Sequence, residues 1–190
     1  MRYLTVGVLG LVALFALAAC DVNVKKDSQG EDKNVDIKTP FGEIHVDKGA
    51  DVRDTGLPVF AGATLKQKDN NSDQQSANVN ISTSAFGVKV VALDYESDAA
   101  PSKVIAYYKD QLKKFGNVLE CHSSGENFNA NYGSDKGSEE LKCEGNSTGE
   151  TVELKVGTKS NQHIVSVKPQ GKGSEFALVY VRTRGKQGTI

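Results

Sequence analysis

From Leu4 to Ala19 the chain carries no charged residue, and the run ends on Cys20. Arg2 places a positive charge ahead of it. A helix that crosses a bilayer needs about 20 apolar residues, and this run is slightly short of that. Its length, its charged start and the small residues Ala18 and Ala19 fit the apolar core and processing site of a secretory signal. Residues 1–19 are therefore expected to be removed. The mature fold has to be built from the more polar sequence that follows.

The four residues Leu17-Ala18-Ala19-Cys20 resemble the lipobox of bacterial lipoproteins. A cysteine suits that place because a thiolate is a far better nucleophile than a hydroxyl at neutral pH, so a thioether to diacylglycerol can form there. The resemblance implies cleavage before Cys20, diacylglycerol on its sulfur and often an acyl group on the new amine. One acyl chain holds a protein on a membrane only marginally; two or three make a stable anchor, at about 0.8 kcal/mol per buried CH₂. Asp21 resembles the residue that keeps enteric lipoproteins in the inner membrane. The expected partner is thus the membrane, through the N-terminal lipid. The expected place is extracytoplasmic, on the periplasmic face of the inner membrane.

The 23 basic and 24 acidic residues nearly cancel. A nucleic-acid partner calls for a basic stripe, so none is expected. Hydrophobic content is 38% with the leader included. The mature part is fairly polar, yet long enough for one domain with a core.

With Cys20 assigned to lipid, Cys121 and Cys143 remain. An even pair in an exported chain reads as a disulfide, because that compartment is oxidising. Closing a loop of about 23 residues is worth roughly 3 kcal/mol in the chain-entropy model. The alternative is a metal site using His122, with His45 and His163 also available, but the spacings match no familiar zinc pattern. No metal and no cofactor are expected.

Residues 20–34 are charged and nearly free of large apolar groups, so they are expected as the lipidated cysteine and a flexible tether. Residues 35–55 are expected as a β-hairpin element: Val35 and Ile37, then Ile44 and Val46, alternate with polar residues around a Thr39-Pro40-Phe41-Gly42 turn. A related string recurs at Ile81 to Val90, again with Phe-Gly at its centre (Phe86-Gly87). Two loose copies do not make a repeat architecture; they read as hairpins with similar turns.

Residues 56–190 are expected as an α+β domain: a mainly antiparallel β-sheet with one long amphipathic helix packed on a face. Val88 to Leu93 reads as a central strand, apolar on both faces apart from Lys89. Asp98 is the expected helix cap, Pro101 lies in the first turn and Gly116 is the stop. Val104, Ile105, Tyr108, Leu112 and Phe115 share the apolar side. Tyr108 is expected in the core and Tyr107 at its margin; the alternative makes the pair part of a ligand-binding face. Strands are expected at Val118 to His122, around Leu154, at Ile164 to Lys168 and at Phe176 to Val181. Arg182, Arg184 and Lys186 near the end are expected as a solvated tail rather than a patch for anionic headgroups.

Gly56 to Leu65 (GLPVFAGATL) resembles a Leu-Pro-Val-Tyr-Pro-Gly-Ala segment of uncharacterised bacterial envelope lipoproteins, with Phe60 in place of the tyrosine and Ala61 in place of the proline. The resemblance implies a hairpin and then a helix with paired tyrosines, and an envelope location. It carries no activity.

The Gly-, Asn- and Ser-rich stretch from Ser123 to Glu140 holds two isolated aromatics, Phe128 and Tyr132. A bridge between the flanking cysteines would clamp it into one long loop, a form that often carries function. Phe128 and Tyr132 are the candidate binding residues; the alternative is a cap on the sheet edge. The expected function is a lipid-anchored binding or interaction module of the bacterial envelope, with an envelope protein as partner. The alternatives are a structural envelope component without a small ligand and an extracytoplasmic hydrolase. For the hydrolase, G-x-S-x-G and H-E-x-x-H are absent, and Ser123 and Ser124 beside His122 are strand neighbours, which rarely face one another. No catalytic residue is assigned. Glu43, Asp94 and Glu96 are the carboxylates whose pairing in space would revive that reading.

Overall fold

A computed structural model describes residues 21–26, 32–47, 49–66, 76–124, 138–143 and 149–185. Cys20 with the lipobox, and Phe128 and Tyr132 of the expected contact loop, lie outside the described residues. The elements in chain order are β1 (Asp21–Lys26), β2 (Asp32–Thr39), β3 (Gly42–Asp47), β4 (Thr64–Leu65), β5 (Ser76–Thr83), β6 (Gly87–Ser97), α1 (Pro101–Leu112), β7 (Leu119–Ser123), β8 (Thr151–Thr158), β9 (Asn161–Gln170) and β10 (Gly173–Arg184).

All described strands join one sheet in the order β1-β2-β3-β5-β6-β10-β9-β8-β7, and β4 pairs with the end of β6. Every pairing is antiparallel. Among the described residues the protein is thus mostly antiparallel sheet with a single α-helix. β6 lies between β5 and β10, as its apolar run on both faces requires. The early hairpin β2–β3 belongs to this same sheet, because β3 pairs with β5 from Gly42–Thr83 to Asp47–Asn78. Gly42 allows that close approach: a Cβ there would stand 2.4 Å from the Ser82 carbonyl oxygen.

Three expectations are corrected. The helix is short, not long: twelve α-helical residues and then one 3₁₀ turn, Lys113–Phe115. Gly116, at φ +136°, ends it in a backbone conformation that L side chains rarely adopt. Asp98 is not the cap. Ala100 holds that position without a side-chain bond, and Pro101, which lacks an N–H to satisfy, starts the helix. Lastly, the stretch read as a tether contains β1. Val22 and Val24 alternate with Asp21, Asn23 and Lys25, and the strand is held by its ladder to β2.

The helix packs Val104, Tyr108 and Leu112, all fully buried, onto Leu93, Phe176, Leu178, Val165 and Leu154. The segment that enters the domain lies over the same core. The hydroxyl of Tyr108 donates to the Pro58 carbonyl at 3.2 Å and accepts from the Phe60 N–H at 3.0 Å. Phe60 sets its ring edge-on to Tyr107 at 5.2 Å. The two tyrosines therefore do structural work: one pins the Pro58–Phe60 loop, the other margins it.

Candidate functional site

Residues opposite one another in an antiparallel ladder point to the same side of the sheet. The register therefore sorts every strand residue onto the helix side or the outer side. Val91, Leu93 and Tyr95 of β6 meet the helix core, while Val90 and Ala92 belong to a second cluster with Ile164, Val179 and Val181. Followed outward, that second side continues as a row of valines. Val181 pairs with Val90, Val90 with Val79, Val79 with Val46, Val46 with Val35 and Val35 with Val24. A parallel row runs through Val88, Ile81, Ile44, Ile37 and Val22. On the helix side the same strands carry Asn78, Asn80, His45 and Asp36. His45 pairs with Asp36 there, and that contact holds the Asp36 carboxyl below the usual carboxylate range.

So the N-terminal half of the sheet turns its apolar side away from the helix. β1, β2 and β3 make their contacts with neighbouring strands. Val22 is 59% exposed and Val24 41%, and Ile44 is also exposed. A contiguous Val/Ile surface across several strands is the kind of feature that marks an interaction site.

The two ends of the sheet differ. At one end stand the β2–β3 and β5–β6 turns, with Phe41 84% exposed and Phe86 46% exposed. At the other, Lys66 bonds Glu175 at 2.9 Å and approaches Glu96 at 4.0 Å, while Lys168 bonds Glu175 at 3.2 Å. Burial and then Glu175 push the Asp94 carboxyl above the usual range. Burial also pushes Glu175 up, but hydrogen bonds from Lys66 and Lys168 outweigh it and hold Glu175 below the usual range. Beside this network an open, polar hollow of ≈ 360 Å³ is lined by Gly62, Thr64, Glu96, Ser97, Asp98 and Lys172 among others.

Of the expected carboxylates, Asp94 and Glu96 share one side of β6, whereas Glu43 stands at the Phe41 end, opposite Ser82. At about 3.3 Å per residue, roughly 20 Å of strand separates Glu43 from Asp94. The structure does not bring the three together. Glu175 and Lys168, which complete the charged network, are a cross-strand pair of the β9–β10 hairpin, while Lys66 joins them from far away in the chain and carries no sequence signal.

Cys121 and Cys143 are at bonding distance, S–S 2.02 Å. Residues 138–143 run from the β8–β9 turn, where Glu139 accepts from the Ser160 hydroxyl at 2.6 Å, to Cys121 on β7. Beside Cys121, Glu153 and Lys155 form a 3.0 Å ion pair with side chains only 7% and 5% exposed. The three histidines sit apart. His122 is beside Glu120, His45 on Asp36, and His163 bonds the Thr55 carbonyl at 2.9 Å. Among the described residues no three His, Cys, Asp or Glu side chains gather as metal ligands. Among the described residues, too, no helix is long and apolar enough to cross a membrane. No family model, curated protein or solved structure matches the chain.

Proposed function

We propose that the protein is a lipid-anchored, extracytoplasmic interaction module of a bacterial envelope, held through Cys20 and docking a protein partner on the outer side of β1, β2, β3 and β5. The observation that carries the partner role is the row Val24–Val35–Val46–Val79, an apolar side of four strands turned away from the helix. The leader ending in Leu17-Ala18-Ala19-Cys20 supports the anchor, and Asp21 supports the inner membrane as its site. The bonded pair Cys121–Cys143 fits an oxidising compartment.

Crosslinking the protein in its native membranes and isolating it should enrich one defined envelope protein. Val24→Asp with Ile44→Asp, both at exposed positions, should abolish that enrichment while leaving the thermal unfolding of the helix-covered core unchanged. Unchanged enrichment removes the outer side as the contact. A loss on Phe128→Ala with Tyr132→Ala instead moves the contact to the clamped loop. An intact Met1 and an unmodified Cys20 on protein from the native host overturn the anchor.

A further inference from the structure

The two Phe-Gly turns stand at the end of the sheet where the chain enters from Cys20. Asp21 pairs with Lys38, one residue before Thr39, so β1 begins beside the β2–β3 turn. Gly42 pairs with Thr83, and Gly87 with both Ser82 and Arg184, which aligns the β5–β6 turn and the end of β10 with it. With strands spaced about 4.8 Å, the two tips lie on the order of 10 Å apart.

Both turns are built by the same device. The Thr39 hydroxyl accepts from the Phe41 N–H at 3.3 Å and donates to the Gly42 carbonyl at 2.9 Å. The Thr83 hydroxyl accepts from the N–H groups of Ala85 and Phe86, at 3.2 and 2.9 Å, and donates to the Phe86 carbonyl at 3.0 Å. Each threonine satisfies the backbone of its turn. Each ring is left outside, 84% exposed at Phe41 and 46% at Phe86.

We infer that Phe41 and Phe86 are membrane-contacting tips that dip into the lipid interface beside the anchor. This rests on the reading of Cys20 as the lipidated residue. Because Asp21 already lies in β1, no slack separates an anchored Cys20 from the end of the sheet, so the tips are held at the level of the headgroups. Apolar aromatic side chains at that depth bury their rings against acyl chains. The charge at this end permits the approach. Lys38 stands between Asp21 and Glu43 in the ladder, and Arg184, which donates to the Ser82 hydroxyl at 3.1 Å, adds a cation for the phosphate layer. The opposite end, with Lys66, Glu96, Lys168, Lys172 and Glu175, faces away from the bilayer.

The chain contains no tryptophan, so one introduced residue reports alone. Full-length protein carrying Phe41→Trp, Phe86→Trp or, at the opposite end, Lys172→Trp is purified from host membranes and placed in phosphatidylcholine vesicles with brominated acyl chains. Emission from Phe41→Trp and Phe86→Trp should shift to the blue and lose intensity to bromine, while Lys172→Trp keeps the emission it has in unbrominated vesicles. Equal quenching at all three positions, or none at the two tips, overturns the proposal. The mass of the N-terminal peptide from the same samples separates the two readings. Quenched tips on a chain with unmodified Cys20 keep the tip contact and discard the anchor. A lipidated Cys20 with unquenched tips does the reverse.

Discussion

Strands β3 and β8 carry the same alternation of apolar and polar residues, yet they turn their apolar residues to opposite sides of one sheet. In β8, Val152, Leu154 and Val156 point at the helix and are buried. In β3, Ile44 and Val46 point the other way, and Ile44 is exposed. The reason is reach. A twelve-residue helix is about 18 Å long. It therefore spans no more than about four strands at their usual 4.8 Å spacing, and its contacts are with β8, β9 and β10. Strands beyond it gain nothing by facing its side. They pool their apolar residues on the outer side, where the second cluster of Ile164, Val179 and Val181 already begins. One half of the sheet is thus held by burial under a helix, and the other by ladder bonds and a shared apolar side.

The difference can be broken by cavities. Leu154→Ala, at a fully buried position under the helix, should cost about 2–5 kcal/mol in urea unfolding. Ile44→Ala in the outer half should cost under about 1 kcal/mol. Equal costs would mean that the outer side is as tightly covered as the helix side. The disulfide comes next. Removing it by Cys121→Ser with Cys143→Ser, across a sequence separation of 22, should cost about 3 kcal/mol by the same measurement. The loss should fall on the β7–β8 edge, which faster amide exchange there, with β2–β3 unchanged, would register.

Tyr108→Phe removes a buried hydroxyl and leaves the Phe60 N–H and Pro58 carbonyl without it, for a cost of about 1–3 kcal/mol. The smallest effect is titration of His163. Burial, stacking on Phe115 at 3.7 Å and the nearby Lys114 accompany a ring held below the usual histidine range, with burial the larger cause and the Thr55 carbonyl opposing it. The unfolded chain therefore takes up the proton first, at a pKa of about 6.5. The stability that the neutral ring contributes is complete above that value. It is lost as pH falls through it toward the lower folded pKa. Unfolding midpoints on either side of that value should show the loss in the native protein and not in His163→Gln.

Much of the fold was legible before its geometry was known. The alternations at Val35–Ile37, Ile44–Val46 and Val152–Val156 mark strands, the Pro40-Phe41-Gly42 and Phe86-Gly87 turns mark hairpins, and the spacing of Val104, Tyr108 and Leu112 marks the helix. β1 was not: Val22 and Val24 alternate, but their charged neighbours made the stretch read as a tether and hid a strand that buries little. The charged network was not legible, because Lys66 and Glu175 stand 109 residues apart and are neighbours only through β4, β6 and β10.

By itself the sequence determined most of the strands, the hairpin turns and the place of the helix, because those depend on local alternation, on Pro and Gly, and on helical spacing; β1, the helix's length and its cap were not among them. It also pointed to Cys121 with Cys143 over a metal site, on the expectation that Cys20 carries lipid, and the structure bonds the two. Only the tertiary structure decided which side of each strand is covered. An alternating strand has two equal choices, and the helix, reaching part of the sheet, settles the choice for the strands it touches. It also decided that Phe41 and Phe86 share one end, since the register from β1 to β10 is set by pairings that no local pattern specifies.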